Sequence, residues 1–233
     1  MRRLISYPVS RKTPLYPGTM PVCCQPIKSM ERGDSANTSQ ITVSNHTGTH
    51  IDAPRHFCPG GETTREILGG CYEIAPVYCV DLEIPENCPV GIARLGPYLE
   101  KIRNAEGLFI RTGMYRHRAG DPRRYCEEHP WVDPGLPAVL RLACPSLRLF
   151  GIDTISISNP SHRDEGRACH RAFLCEKKPI ILAEDLNLSD PELTTSPLRV
   201  TIYPWIVDDL DGVPVMIFAE FDNGTRSGQR TEQ

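Results

Sequence analysis

The chain has 233 residues, 39% hydrophobic and 24% charged, with a formal net charge of −3. A chain this long can bury most of its apolar surface in one large domain or two small ones, so folding does not require disulfides. Its 26 basic residues are scattered among 29 acidic ones, which excludes a nucleic-acid surface; no apolar run reaches the ~20 residues of a membrane helix, which excludes a membrane span.

In chain order, short β-branched or apolar runs predict strands at 3–9 (RLISYPV), 40–45 (QITVSN), 76–82 (PVYCVDL) and 107–113 (GLFIRTG). Further strands are predicted at 147–153 (LRLFGID), 179–185 (PIILAED), 198–207 (LRVTIYPWIV) and 213–221 (VPVMIFAEF). Helices are predicted at 94–106 (RLGPYLEKIRNAE), at 134–144 (PGLPAVLRLAC) between prolines, and at 164–177 (DEGRACHRAFLCEK). The last of these opens with acidic residues that suit a helix N-terminus. Alternation of strand and helix from residue 94 to 185 implies crossovers and a mixed sheet, hence an α/β or α+β fold. The segment DDLDG, 208–212, reads as a hairpin turn between the last two strands. One domain over 1–223 is expected, with a frayed tail over 224–233.

The N-terminus, MRRLISYPVSRKTP, lacks the apolar core of a signal peptide, and a cytoplasmic location is expected. The ten cysteines (23, 24, 58, 71, 79, 88, 126, 144, 169 and 175) contain no CxxC pair. They are expected as free thiols, several serving as small buried hydrophobes. Cys58 adjoins a histidine cluster, yet no base is fixed to it, so it reads as a packed thiol and not a nucleophile.

That cluster carries the chemistry. Three of the chain's seven histidines, His46, His50 and His56, lie with Asp52 inside eleven residues, Asn45 and Phe57 flanking them. A helix would turn Asp52 roughly 240° from His46, and Thr47, Gly48, Thr49 and Ile51 are poor helix formers. In extended chain all four residues share one parity and project to one face. A straight strand, however, would hold His46 and His50 ~13 Å apart, so the chain must turn between them, and Gly48 permits it. Two imidazoles and a carboxylate form a facial set that suits a divalent ion such as zinc or manganese and leaves a position open to water, the mark of a catalytic metal.

The stretch HTGTHIDAPRHF, residues 46–57, resembles the HxGTHxDxPxHF signature of the metal-dependent cyclase family. PLYPG at 14–18, IRTG at 110–113 and GIDTIS at 151–156 extend the resemblance over most of the chain. It implies a swivelling β/β/α cyclase-type fold, with one or two divalent ions per subunit in a homodimer or homotetramer. His46, His50 and Asp52 match the metal ligands, and His56 matches the general acid/base. His170 and Glu184 match the downstream pair that completes a second metal position, with Asp185 as the competitor for Glu184. Glu184 would hold a second ion or orient the attacking water, and Asp52 would bridge two ions. The implied activity is hydrolysis of a C–N bond in a small-molecule amide, above all an aryl formamide of the N-formylkynurenine type. A cyclic amide such as isatin, or a silent metal-binding role, is the alternative.

Outside the motif, His117 and His129 read as solvated loop residues and His162 as a weaker substitute for His170. Asp153 reads as a strand-end group bonding a turn amide. Trp131, Trp205, Tyr115 and Tyr203 are the candidates for an aromatic wall.

Overall fold

The structure, a computed structural model, describes residues 2–221. Its strands are β1 (Arg2–Leu4), β2 (Cys23–Lys28), β3 (Thr38–Thr42), β4 (His50–Asp52), β5 (Tyr72–Asp81), β6 (Pro89–Val90), β7 (Gly107–Arg111), β8 (Trp131–Val132), β9 (Leu149–Ile152), β10 (Ile181–Glu184), β11 (Leu198–Pro204) and β12 (Gly212–Phe221). The helices are α1 (Thr64–Leu68), α2 (Ile92–Leu95), α3 (Leu99–Ile102), α4 (Pro122–Glu127), α5 (Leu136–Ala143) and α6 (Arg163–Leu174). The expected tail at 224–233 lies outside the described residues.

Eight strands form one sheet in the order β1-β12-β11-β5-β7-β9-β10-β4, and β4 also pairs with β12, closing the sheet on itself. The run β5-β7-β9-β10 is parallel and the remaining pairings are antiparallel. The parallel run is buried on both faces, which is why β7 (GLFIR) and β9 (LFGI) carry no exposed position. Side chains alternate between two cores. Phe109, Leu149, Ile181 and Ala183 point inside the ring with Ile51, Val200, Val213 and Ile217. Leu108, Ile110, Phe150, Ile152 and Leu182 point outward, against helix residues such as Leu140 and Phe173.

Helix α6 is the longest of the six and packs on this outer face. Its buried residues, Gly166, Cys169, His170, Phe173 and Leu174, fall at the spacing of one helical face. Packing that stripe on the sheet therefore carries His170 inward with the apolar residues.

Several expectations are corrected. The helix expected over 94–106 is broken into α2, a 3-10 turn over Gly96–Tyr98 and α3, because Pro97 has no N–H to donate. The strand expected at 40–45 is β3, which pairs with β2 in a separate exposed hairpin and not with the main sheet. Cys58 is not a packed thiol: it forms a disulfide with Cys175, 117 positions away, tying the loop after His56 to the end of α6. Cys79, Cys126, Cys144 and Cys169 are the buried free thiols.

His129 is no solvated loop residue either; it is completely buried. Its Nδ1 donates to the Pro130 carbonyl, its own carbonyl accepts from Asn159, and Nε2 has no partner. Burial holds the imidazole neutral, lowering its pKa to about 4 from the ordinary 6.5. The unfolded chain therefore takes up a proton that the folded chain refuses. Stability is full above pH 6.5 and is lost as pH falls toward 4, by about 3 kcal/mol. Thermal unfolding followed from pH 7 to pH 4 will show this loss in the parent, and His129→Gln will flatten it; an unaltered pH slope in the variant contradicts the assignment.

Candidate active site

The motif turns as its spacing requires. Residues 45–49 form a tight turn in which Gly48 takes φ +71°, a left-handed conformation natural to glycine, and β4 follows at once. Strand β4 lies between β10 and β12, with His50 opposite Glu184 on one side and Asp52 opposite Gly212 on the other. Two-residue periodicity sends Ile51 into the ring and His50 and Asp52 to its outer face. Cross-strand register sets Glu184 beside His50 there, and α6 lowers His170 onto the same spot.

Four side chains converge. His50 Nε2 lies 3.4 Å from Asp52 Oδ1 and 3.4 Å from Glu184 Oε2. His170 Nε2 lies 3.7 Å from Asp52 Oδ2 and 3.6 Å from Glu184 Oε1. The other nitrogens fix the tautomers: His50 Nδ1 is 2.8 Å from the Gly48 carbonyl and His170 Nδ1 is 2.7 Å from the Gly166 carbonyl. A carbonyl only accepts, so each Nδ1 donates, and each Nε2 lone pair faces carboxylate oxygens. Lone pairs so opposed are met by a cation, either a proton on Nε2 or a metal ion in its place.

Two further observations fit a divalent metal. Asp52 Oδ2 is buried with no hydrogen-bond partner, a costly state for a carboxylate oxygen unless a cation meets it. Donor atoms of His50, Asp52 and Glu184 lie within 4.8 Å of one another, as do those of His46, Asp52 and His56, so two ligand sets share Asp52. Mixed imidazole and carboxylate donors suit zinc or manganese.

With only protons to meet them, the carboxylates favour charged imidazoles, whose protons a divalent ion would displace. Burial alone lowers the His50 pKa, but the Asp52 and Glu184 carboxylates outweigh it and raise it well above the ordinary value. His170 is likewise raised, Glu184 overcoming burial. His46 is raised to about 9, where Asp52 and Asp211 overcome burial. Asp52 is held well below the usual range despite burial, by His46 and His50. Glu184, opposed by burial and by Asp52, still falls to about 2 because His170 and His50 face it. Its Oε1 also accepts from the Ile157 amide at 2.8 Å and the Ser156 hydroxyl at 3.1 Å.

Asp211 is the residue the sequence did not disclose. Its Oδ2 accepts from His56 Nδ1 at 2.7 Å and lies 3.0 Å from His46 Nε2, while Oδ1 accepts from the Asn45 amide at 2.7 Å. Hydrogen bonds from His46 and His56 lower its pKa. The available signal was the density of acids in DDLDG, which also reads as an ordinary turn. Gly212 beside it is a matter of space: a Cβ there would overlap the His46 ring. Gly212→Ala will therefore displace the His46 ring and weaken metal retention by roughly ten- to a hundredfold in Kd, as loss of ligand orientation does; equilibrium dialysis checks it.

Asp185 does not compete for the site. It takes φ +54° at the strand end and turns away, held by Arg118 at 2.6 Å from both oxygens and by the Tyr125 hydroxyl at 2.5 Å. Asp153 accepts from the amides of Thr112 and Gly113, a turn-bonding role. His117 follows a 3-10 turn away from the cluster, and His162 stacks on Trp131 at 4.7 Å. The cavity above the cluster, about 380 Å³, takes its aromatic surface from Tyr16 and Phe57, not from Trp131, Trp205, Tyr115 or Tyr203. Phe57 stacks on the His170 ring, centroids 4.5 Å apart.

A closed mixed sheet presenting paired histidines and carboxylates at the floor of an open cavity, with His56 beside them, defines a metal-dependent hydrolytic enzyme. The chain belongs to the Cyclase family, whose model matches residues 4–159. Similar relatives include the kynurenine formamidases of Bacillus cereus, 31% identical, and Geobacillus thermodenitrificans, 30% identical. Each alignment covers 91% of this chain and 93% of the relative. Among solved structures, isatin hydrolase A from Labrenzia aggregata matches with a TM-score of 0.75 at 18% identity, covering 94% of this chain and 93% of that one. An isatin hydrolase bound to the product analogue thioisatinate matches with a TM-score of 0.74 at 16% identity, covering 94% and 91%. The architecture is thus the cyclase-type mixed α/β fold. No helix among the described residues is long and apolar enough to cross a membrane.

Proposed function

We propose that the chain hydrolyses the C–N bond of an aryl formamide, releasing an arylamine and formate, the class of substrate that its kynurenine formamidase relatives' names indicate. The observation that carries this reading is the convergence of His50, Asp52, His170 and Glu184, with one Asp52 oxygen buried and without a hydrogen-bond partner. His46, His50, Asp52, His170 and Glu184 would hold zinc or manganese, as one ion or as two sharing Asp52. A divalent ion there supplies Lewis acidity and lowers the pKa of water.

The chain's own groups do the remainder. His56 lines the cavity and donates Nδ1–H to Asp211, which leaves its Nε2 lone pair as a base. It takes a proton from the attacking water and returns it to the departing nitrogen. Asp211 fixes that tautomer and ring orientation. Ser156 and the Ile157 amide restrain Glu184, and Phe57 covers one face of the His170 ring.

Chelation will abolish turnover of an aryl formamide, and zinc or manganese will restore it. A panel of N-formylkynurenine, formanilide, isatin and a simple lactam, assayed on the metal-loaded protein, tests the substrate class. Turnover of the formamides is expected; an inert panel contradicts the reading. Exposed Ile27, Met30 and Ile41 on and beside the β2–β3 hairpin support assembly as a homodimer or homotetramer, which sedimentation velocity will test.

A further inference from the structure

We infer that Arg163 and Arg167 form an anion subsite at the mouth of the same cavity, so that the preferred substrate carries a carboxylate remote from its formamide. This rests on the aryl-formamide reading and narrows it. Both arginines line the cavity together with His46, His56, His170 and Glu184. Their spacing explains how. Arg167 precedes His170 by three residues and Arg163 by seven, so both rise from the His170 side of α6, about 4.5 and 10 Å along its axis.

Arg163 lies on the line of the buried stripe of α6, at its exposed end. The buried stripe of α6 runs through Gly166, Cys169, His170 and Phe173, and position 163 extends that stripe by one turn. There the chain places a guanidinium that no protein charge uses. Its described hydrogen bond goes from Nε to the Pro160 carbonyl at 3.3 Å, and no carboxylate pairs with it among the described residues. Arg167 meets Asp164 at 2.6 Å in an exposed pair, an association weak enough to be exchanged for a ligand. Glu165, the other acid of the first turn, lies 4.0 Å from His162.

Two fork-shaped cations about one and two helical turns from the metal-ligand histidine match a ligand with its reacting carbonyl at one end and an anion at the other. An aromatic ring with a short carboxylate-bearing side chain spans that interval. A neutral formanilide leaves the arginines without a partner.

The test uses the metal-loaded protein and two substrates: an aryl formamide with a side-chain carboxylate and the methyl ester of the same compound. The parent will favour the carboxylate in kcat/KM, through KM, by about ten- to a hundredfold, the range for a hydrogen bond to a charged group. Arg163→Gln/Arg167→Gln will bring that ratio close to one. Arg171→Gln, on the neighbouring face of α6, will leave the ratio as in the parent. In the unmodified protein the carboxylate-bearing arylamine product will inhibit at lower concentration than its ester, a readout that needs no variant to fold. A parent ratio near one, a ratio untouched by the double substitution, or equal inhibition by the two products overturns the subsite while the formamidase reading stands. Failure of the parent to hydrolyse either substrate overturns that reading and the subsite with it.

Discussion

Asp52→Asn will leave a protein that folds, binds little metal and has lost roughly a thousandfold or more of its activity, since the Lewis-acid contribution amounts to several kcal/mol. Asparagine keeps the volume and one carbonyl oxygen but removes the charge on which both ligand sets depend. His50 and His46 draw much of their raised pKa from Asp52, the residue common to both ligand sets. Metal content after dialysis, measured alongside turnover, checks both halves of the expectation. His117→Ala, outside the cluster, will keep both. Full metal content and parent turnover in Asp52→Asn would remove the basis for the site.

His56→Ala separates proton transfer from metal binding. Turnover is expected to fall by about 10²- to 10⁴-fold, the usual contribution of a positioned acid/base, while metal content holds. Asp211→Asn should fall short of that loss, because the imidazole remains but its tautomer and orientation are no longer enforced by a carboxylate. Parent-like turnover in His56→Ala contradicts the assigned role. Loss of metal in that variant would make His56 a ligand in the set it forms with His46 and Asp52.

Legibility in the sequence followed the range of each interaction. The HxxxHxD pattern is local: parity puts His50 and Asp52 on one face, and bringing His46 to His50 demands a turn that Gly48 permits. Both appear in the fold. His170 and Glu184 are 14 residues apart and more than a hundred from the motif they join, so only the family resemblance pointed to them. Choosing Glu184 over Asp185 required strand register, because one step along a strand reverses the face. Asp211 looked like any acid in a turn, since nothing local shows that β12 pairs with β4 and delivers it to His46 and His56. The Cys58–Cys175 bridge was hidden for the same reason, spacing alone carrying no pairing information across 117 positions. His129 was misjudged because its burial comes from tertiary packing around Asn159 and not from any apolar periodicity of its own segment.

Anomalous diffraction from crystals of the zinc- or manganese-loaded protein, collected at the absorption edge of that metal, tests the central assignment most directly. A peak is expected within about 2.0–2.2 Å of an Asp52 carboxylate oxygen and of His50 Nε2. Active, metal-loaded protein whose anomalous density lies away from Asp52 would contradict it.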